Sequence, residues 1–112
     1  MNYRIKLSIE FVKELKRLAK RYRSLKQDIT KLGASLQENP HQGADLGNGL
    51  RKVRMSITSK GKGKSGGARV VTFTAIISED DAEILLLTLY DKSEKEAITD
   101  AELKELRLKC GV

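Results

Sequence analysis

The sequence predicts an α+β protein, with a strand and a helical hairpin packed on an antiparallel sheet and a short C-terminal helix. Three observations predict it. Apolar residues recur with a helical period between residues 11 and 36 and again after Thr99, while alternating or β-branched runs occupy 3–8, 51–57, 69–77 and 83–90. The chain has 112 residues, 39% apolar and 33% charged, which suits one modest core, so residues 1–112 read as one domain. Capping residues stand ahead of each periodic stretch.

Each element has its own reason. In "YRIKLS", Tyr3, Ile5 and Leu7 alternate with Arg4, Lys6 and Ser8, the pattern of a half-buried strand. Ser8 then caps a helix whose apolar stripe is Phe11, Leu15, Leu18, Ala19 and Tyr22. Ser24 and Gln27 form a capping-box pattern for a second helix carrying Leu25, Ile29, Leu32 and Leu36 on one face, and Asn39-Pro40 ends it. So short a connection predicts an antiparallel helical hairpin. "HQGADLGNG" reads as a turn-rich loop. In the strand after it, Arg51, Val53, Met55 and Ile57 alternate with Lys52, Arg54 and Ser56. The glycine-lysine stretch "SKGKGKSGGAR" leads into a strand over 69–77, "SEDD" makes a turn, and Glu83–Tyr90 is apolar on both faces and therefore interior to the sheet. Thr99 and Glu102 form a second capping box, with Leu103 and Leu106 on a helix ending near Gly111. The predicted order is β-α-α-β-β-β-α.

Composition excludes several classes of function. The longest apolar run, Ile84–Leu87, falls far short of the roughly 20 residues of a membrane span. "MNYRIKLSIE" lacks the apolar stretch of a signal peptide. A lone cysteine, Cys110, and a lone histidine, His41, leave neither a disulfide nor a metal-ligand set, so no cofactor is expected and the cytoplasm is the default compartment. His41 reads as a plain surface histidine, and the acids 79–81 as turn residues. No Gly-X-Ser-X-Gly elbow occurs. Few aromatic residues are present to stack single-stranded bases. Tyr22 and Phe73 read as core, while Tyr90, at a strand end, is expected to be exposed.

Charge is the distinctive feature. The net charge is +7, and residues 51–69 hold seven basic side chains and no acid (Arg51, Lys52, Arg54, Lys60, Lys62, Lys64 and Arg69). Residues 11–26 hold seven more against Glu14 alone, whereas 78–112 hold ten acids and five bases. Such a basic half suits a polyanionic partner. "Gly63-Lys64-Ser65" has the tail of a nucleotide-binding P-loop, but Thr58 stands where that motif needs glycine, and a strand follows where it needs a helix. If Val53, Met55 and Ile57 face the core, Lys52 and Arg54 share the opposite face. Arg69 opens the returning strand close to them. That group suits a phosphodiester, since Arg binds phosphate oxygens bidentately and Lys acts as a compact charge or a base. Lys60, Lys62 and Lys64, on a glycine-flanked loop, are expected to be mobile, interchangeable contacts to the phosphates of such a polyanion, with Arg51 beside them.

The stretches "GLRKVR", "SKGKGKSGGAR" and "LLTLYDKSEKE" resemble the HigB-type branch of the RelE/ParE superfamily of bacterial toxins, and the likeness runs along the whole chain. The resemblance implies the RelE-like fold and a type II toxin neutralised by a cognate antitoxin. It also implies a ribosome-dependent endoribonuclease, acting on messenger RNA within the ribosome, in which the substrate's own 2′-OH attacks the phosphodiester without a metal. The resemblance thus makes the polyanion met by Arg51 and the loop lysines RNA. Lys52 and Arg54 fall on the two basic strand positions of such a site, and Arg69 on the arginine after the glycine turn. RelE-like toxins often carry a further arginine after the last strand and a tyrosine or histidine beyond it. Here those places fall near Ser93 and Thr99, so Tyr90 and Lys92 are the nearest substitutes. The gyrase-blocking ParE-like branch lacks the basic strand cluster. A non-catalytic RNA- or ribosome-binding module is the remaining alternative.

Overall fold

The computed structural model describes all residues from Met1 to Val112. Strand β1 (Asn2–Leu7) leads into helices α1 (Ile9–Ala19) and α2 (Leu25–Glu38). Strands β2 (Ala44–Gly47), β3 (Leu50–Met55), β4 (Ala68–Ile76) and β5 (Asp81–Asp91) follow, and α3 (Asp100–Cys110) ends the chain. A 3₁₀ turn at Thr58–Lys60 opens the loop between β3 and β4. The sheet order is β1-β5-β4-β3-β2, with β1 parallel to β5 and the other neighbours antiparallel.

Two layers of core hold the sheet. On one face Phe11, Leu18, Leu25 and Leu36 of the helical hairpin pack on Val53, Met55, Val70, Ile84, Leu86 and Leu89. On the other, Leu106 and Leu103 of α3 pack on Leu50, Val71 and Leu87. Each fully buried leucine contributes roughly 1.5–3 kcal/mol, so these faces fix which way every strand residue points. β5 is interior because both of its faces are covered.

The caps explain the helix ends. Ser8 Oγ accepts from Phe11 N (3.0 Å) and donates to the Leu87 carbonyl (2.7 Å), so one hydroxyl starts α1 and ties it to β5. Thr99 and Glu102 make the full capping box of α3, and Gly111 closes that helix in the left-handed conformation. Ser24 does not cap α2, contrary to the pattern in the sequence. Its hydroxyl donates to Asp28 (2.8 Å) and accepts from Ser59 N (2.8 Å), because the loop after β3 competes for it.

Two features were not visible in the hydrophobic pattern. Part of "HQGADLGNG" pairs with β3 as the edge strand β2, too short and polar to show alternation. A bulge also interrupts the β4–β5 ladder, where Val71 faces Thr88 but Thr72 faces Leu86. The extra residue, Leu87, reverses the facing of everything after it. Leu89 thereby enters the hairpin-side core, and Tyr90 comes to the face that carries Arg69.

Candidate phosphate-binding cleft

Lys52 and Arg54 do project from the face of β3 opposite Val53 and Met55. The register sets Arg54 directly across from Arg69, and Arg69 across from Tyr90. Like charges in directly opposed positions destabilise a sheet. This pair persists because the Arg69 side chain is fixed elsewhere. Its Nη1 donates to the carbonyls of Lys64 (3.0 Å) and Ala68 (3.2 Å), and its Nη2 to that of Ser65 (3.2 Å). Arg69 is 5% exposed and has no carboxylate partner.

Beside it lies an open cleft of about 580 Å³, lined by Lys52, Arg54, Lys64, Arg69 and Lys92 with Glu96 as the one acid. The nine residues with a basic ion-pair role are all elsewhere, so none of these five cations lies within 4.0 Å of a carboxylate. Backbone contacts place the rim. Lys92 N donates to the Gly67 carbonyl (3.0 Å), which carries the end of β5 to the start of β4. A Cβ at Gly67 would stand 2.1 Å from the Met55 carbonyl oxygen, so only glycine lets the loop close against β3. Gly43 is equally constrained, with φ +88° and a would-be Cβ 2.3 Å from the Lys52 carbonyl oxygen. A smaller hollow of about 200 Å³ continues past Arg54 and Lys64 to Lys31 and Ser35 of α2. An elongated polyanion fits this arrangement better than a compact apolar ligand does.

The chain matches the family model described as the RelE toxin of the RelE/RelB toxin–antitoxin system over residues 9–111. It belongs to the RelE toxin family. No helix is long and apolar enough to cross a membrane, and no three His, Cys, Asp or Glu side chains converge to hold a metal ion.

In this family member the basic residues singled out from the sequence divide into two sets. Lys52, Arg54, Arg69 and Lys92 meet in the cleft, and Lys64 joins them at its rim. Tyr90 does not. It is 6% exposed rather than open to solvent; its hydroxyl accepts from Ile98 N (3.3 Å), and its ring faces the Lys95 ammonium. The approach to α3 draws that hydroxyl away from the cleft. Arg51, unlike Arg69, has a carboxylate partner. It lies 3.8 Å from Asp45 and also donates to the carbonyls of Gln42 and Gly43 (both 3.1 Å), so it braces the chain around β2 instead of adding an unpaired cation. Lys62 remains exposed at the loop tip.

Lys60 departs furthest from expectation. Its ammonium lies 2.7 Å from Asp91 Oδ1 and 3.3 Å from Ser93 Oγ, over the Tyr22 ring, with only 9% of the side chain exposed. Asp91 is fully buried and also accepts from the Tyr22 hydroxyl, Ser93 N (3.0 Å) and Ser93 Oγ (2.8 Å). Burial by itself would raise its pKa. The hydrogen bonds from Lys60, Tyr22 and Ser93 outweigh burial and hold the carboxyl well below the usual carboxylate range.

The loop is therefore not a free tether. Asp28, 4% exposed, accepts from Thr58 N (3.0 Å) and Thr58 Oγ1 (2.5 Å), fixing the turn where the loop begins. Lys60 is held by Asp91, and the carbonyls of Lys64 and Ser65 are held by Arg69. Sequence reasoning missed Asp28, Asp91 and Glu96. Asp28 breaks the apolar stripe of α2 one residue before Ile29, a weak signal of a buried acid. Asp91 and Glu96 stand inside "LYDKSEKE", where only the fold shows that one points inward and the other lines the cleft.

Proposed function

We propose that this RelE-family toxin is a ribosome-dependent messenger RNA endonuclease of the HigB type, cytoplasmic and held in check by a cognate antitoxin. The observation that carries the reading is the cleft of five cations without ion-pair partners, three of them on paired strands. Phosphodiester cleavage by the neighbouring 2′-OH builds negative charge on a five-coordinate phosphorus. Fixed cations around that phosphorus stabilise the transition state more than the ground state.

Arg69 faces the phosphate with the side chain already fixed by loop carbonyls, and Arg54 and Lys52 extend the positive surface along β3. Glu96 is the carboxylate in reach of the cleft and takes the 2′ proton. As the O2′–P bond forms, the P–O5′ bond breaks, and Lys92 gives its proton to the departing 5′ oxygen. The products are a 2′,3′-cyclic phosphate and a 5′-hydroxyl. A placed acid or base is worth about 10²–10⁴ in rate, and a positioned charge contact about 10²–10³. A partly disordered acidic antitoxin segment, folding over the cleft, would neutralise the same cations.

Induced expression tests the reading. Growth arrest with primer-extension stops inside translated codons is the expected result. Intact messages with trapped gyrase would replace it with the ParE-like activity, and RNA binding without cleavage in a translating extract with a non-catalytic module.

A further inference from the structure

The seven cations of residues 11–26 separate into two groups. Lys13 pairs with Glu10, Arg17 with Glu14 and Glu94, and Arg21 with Glu94. The other four, Lys16, Lys20, Arg23 and Lys26, have no carboxylate within 4.0 Å. Those same four line a hollow of about 520 Å³ at the corner between α1 and α2, with Ala19 as its remaining wall.

Helix electrostatics account for only half of this. Lys16 and Lys20 stand at the C-terminal end of α1, where the macrodipole favours cations. Arg23 and Lys26 flank the start of α2, where it disfavours them, and no Ser24 side-chain cap offsets the positive end there. Four converging like charges, two of them against the local field, raise the energy of the free protein. A bound polyanion removes that cost.

We propose that this corner is a second phosphate-binding surface, which grips the backbone of a structured RNA at a segment other than the one cut in the cleft. The inference rests on the RNA-directed reading above. The hollow has no aromatic or large apolar side chain, which a protein interface needs at its centre, but long flexible cations suffice for a phosphate backbone. Its placement also fits. Ser24 at the corner contacts Ser59 at the loop's start, while the cleft takes Lys64 from the loop's far end, so one RNA-binding surface flanks each end of the anchored loop.

The test compares the wild type with the variant K16Q/K20Q/R23Q/K26Q and with a charge-matched control, R4Q/K6Q/K104Q/K109Q. The probe is a stem-loop RNA bearing 2′-O-methyl groups, which cannot be cleaved, so binding is read without activity. Between about 50 and 200 mM salt the wild type should lose on the order of 100-fold more affinity than the corner variant, as expected for four phosphate contacts. The control should keep most of the wild-type salt dependence. Equal losses in both variants would mean that net charge alone matters and would overturn the proposal. So would corner-dependent binding of polyglutamate with unchanged RNA binding, which marks an acidic protein partner. Cleavage is measured separately: a wild type that never cuts RNA, yet shows the corner-dependent salt slope, would refute the nuclease reading and leave this surface standing.

Discussion

Lys60 and Lys64 occupy the same glycine-rich loop, carry the same charge and were indistinguishable in the sequence. Lys60 is enclosed between Asp91, Ser93 and the Tyr22 ring, whereas Lys64 opens onto a cleft among four other unpaired cations. The enclosed lysine contributes to folding, because a buried carboxylate depends on it. The open one has no carboxylate partner to offset its charge, and on the function proposed above it contributes when an anion arrives. A basic cluster is thus two structures in one. The distribution of carboxylates around it, rather than the number of cations in it, separates scaffold from site.

Four changes sharpen or break that division. Arg69→Ala should slow single-turnover cleavage on a programmed ribosome by about 10²–10³, since a positioned cation is removed from the reacting phosphate. Arg69→Lys should recover little, because one ammonium cannot hold both loop carbonyls and the phosphate. A normal rate at saturation would make Arg69 a docking residue only. Next in size is Lys60→Met, expected to lower the unfolding free energy in urea by about 3 kcal/mol, since it strands a buried carboxylate. Lys64→Met should stay within about 0.5 kcal/mol of the wild type. Equal effects at the two lysines would erase the distinction.

The third change is in pH. Asp91 has a depressed pKa in the folded protein, so its contribution is fully present above the unfolded value of about 3.9 and is lost as pH falls through the folded value. Wild-type stability should decline below about pH 4. Asp91→Asn should start lower at neutral pH and show a shallower decline, and parallel curves would show that Asp91 carries no linkage. The smallest effect belongs to Lys62, exposed at the loop tip. Lys62→Gln should leave stability and saturating cleavage unchanged and reduce the salt slope of RNA binding by roughly one.

Much of the fold was legible because the helical and strand periods are clean and the sheet faces are set by alternating apolar residues. Lys52 and Arg54 were placed correctly for that reason: Val53 and Met55 leave them only one face. The parts that were not legible depend on long-range partners. The bulge at Leu87 decides where Tyr90 points, and no local signal in "ILLLTLY" marks it. Ser24 and Gln27 satisfy the capping pattern, yet Asp28 and the loop claim the serine instead. Arg51 and Lys60 share the basic pattern of the cleft residues in the sequence, and only the fold brings Asp45 and two carbonyls to one and Asp91 to the other.

The central claim is that the cleft cations are kept for function at a cost to folding, and Lys52→Gln/Arg54→Gln tests it most directly. The double variant is measured twice, by urea unfolding at low salt and by single-turnover cleavage. Relief of the opposed Arg54–Arg69 charges should raise the unfolding free energy by roughly 0.5 kcal/mol, while cleavage falls by at least about 100-fold. A variant that is less stable than the wild type and still cleaves at the normal rate would contradict the account.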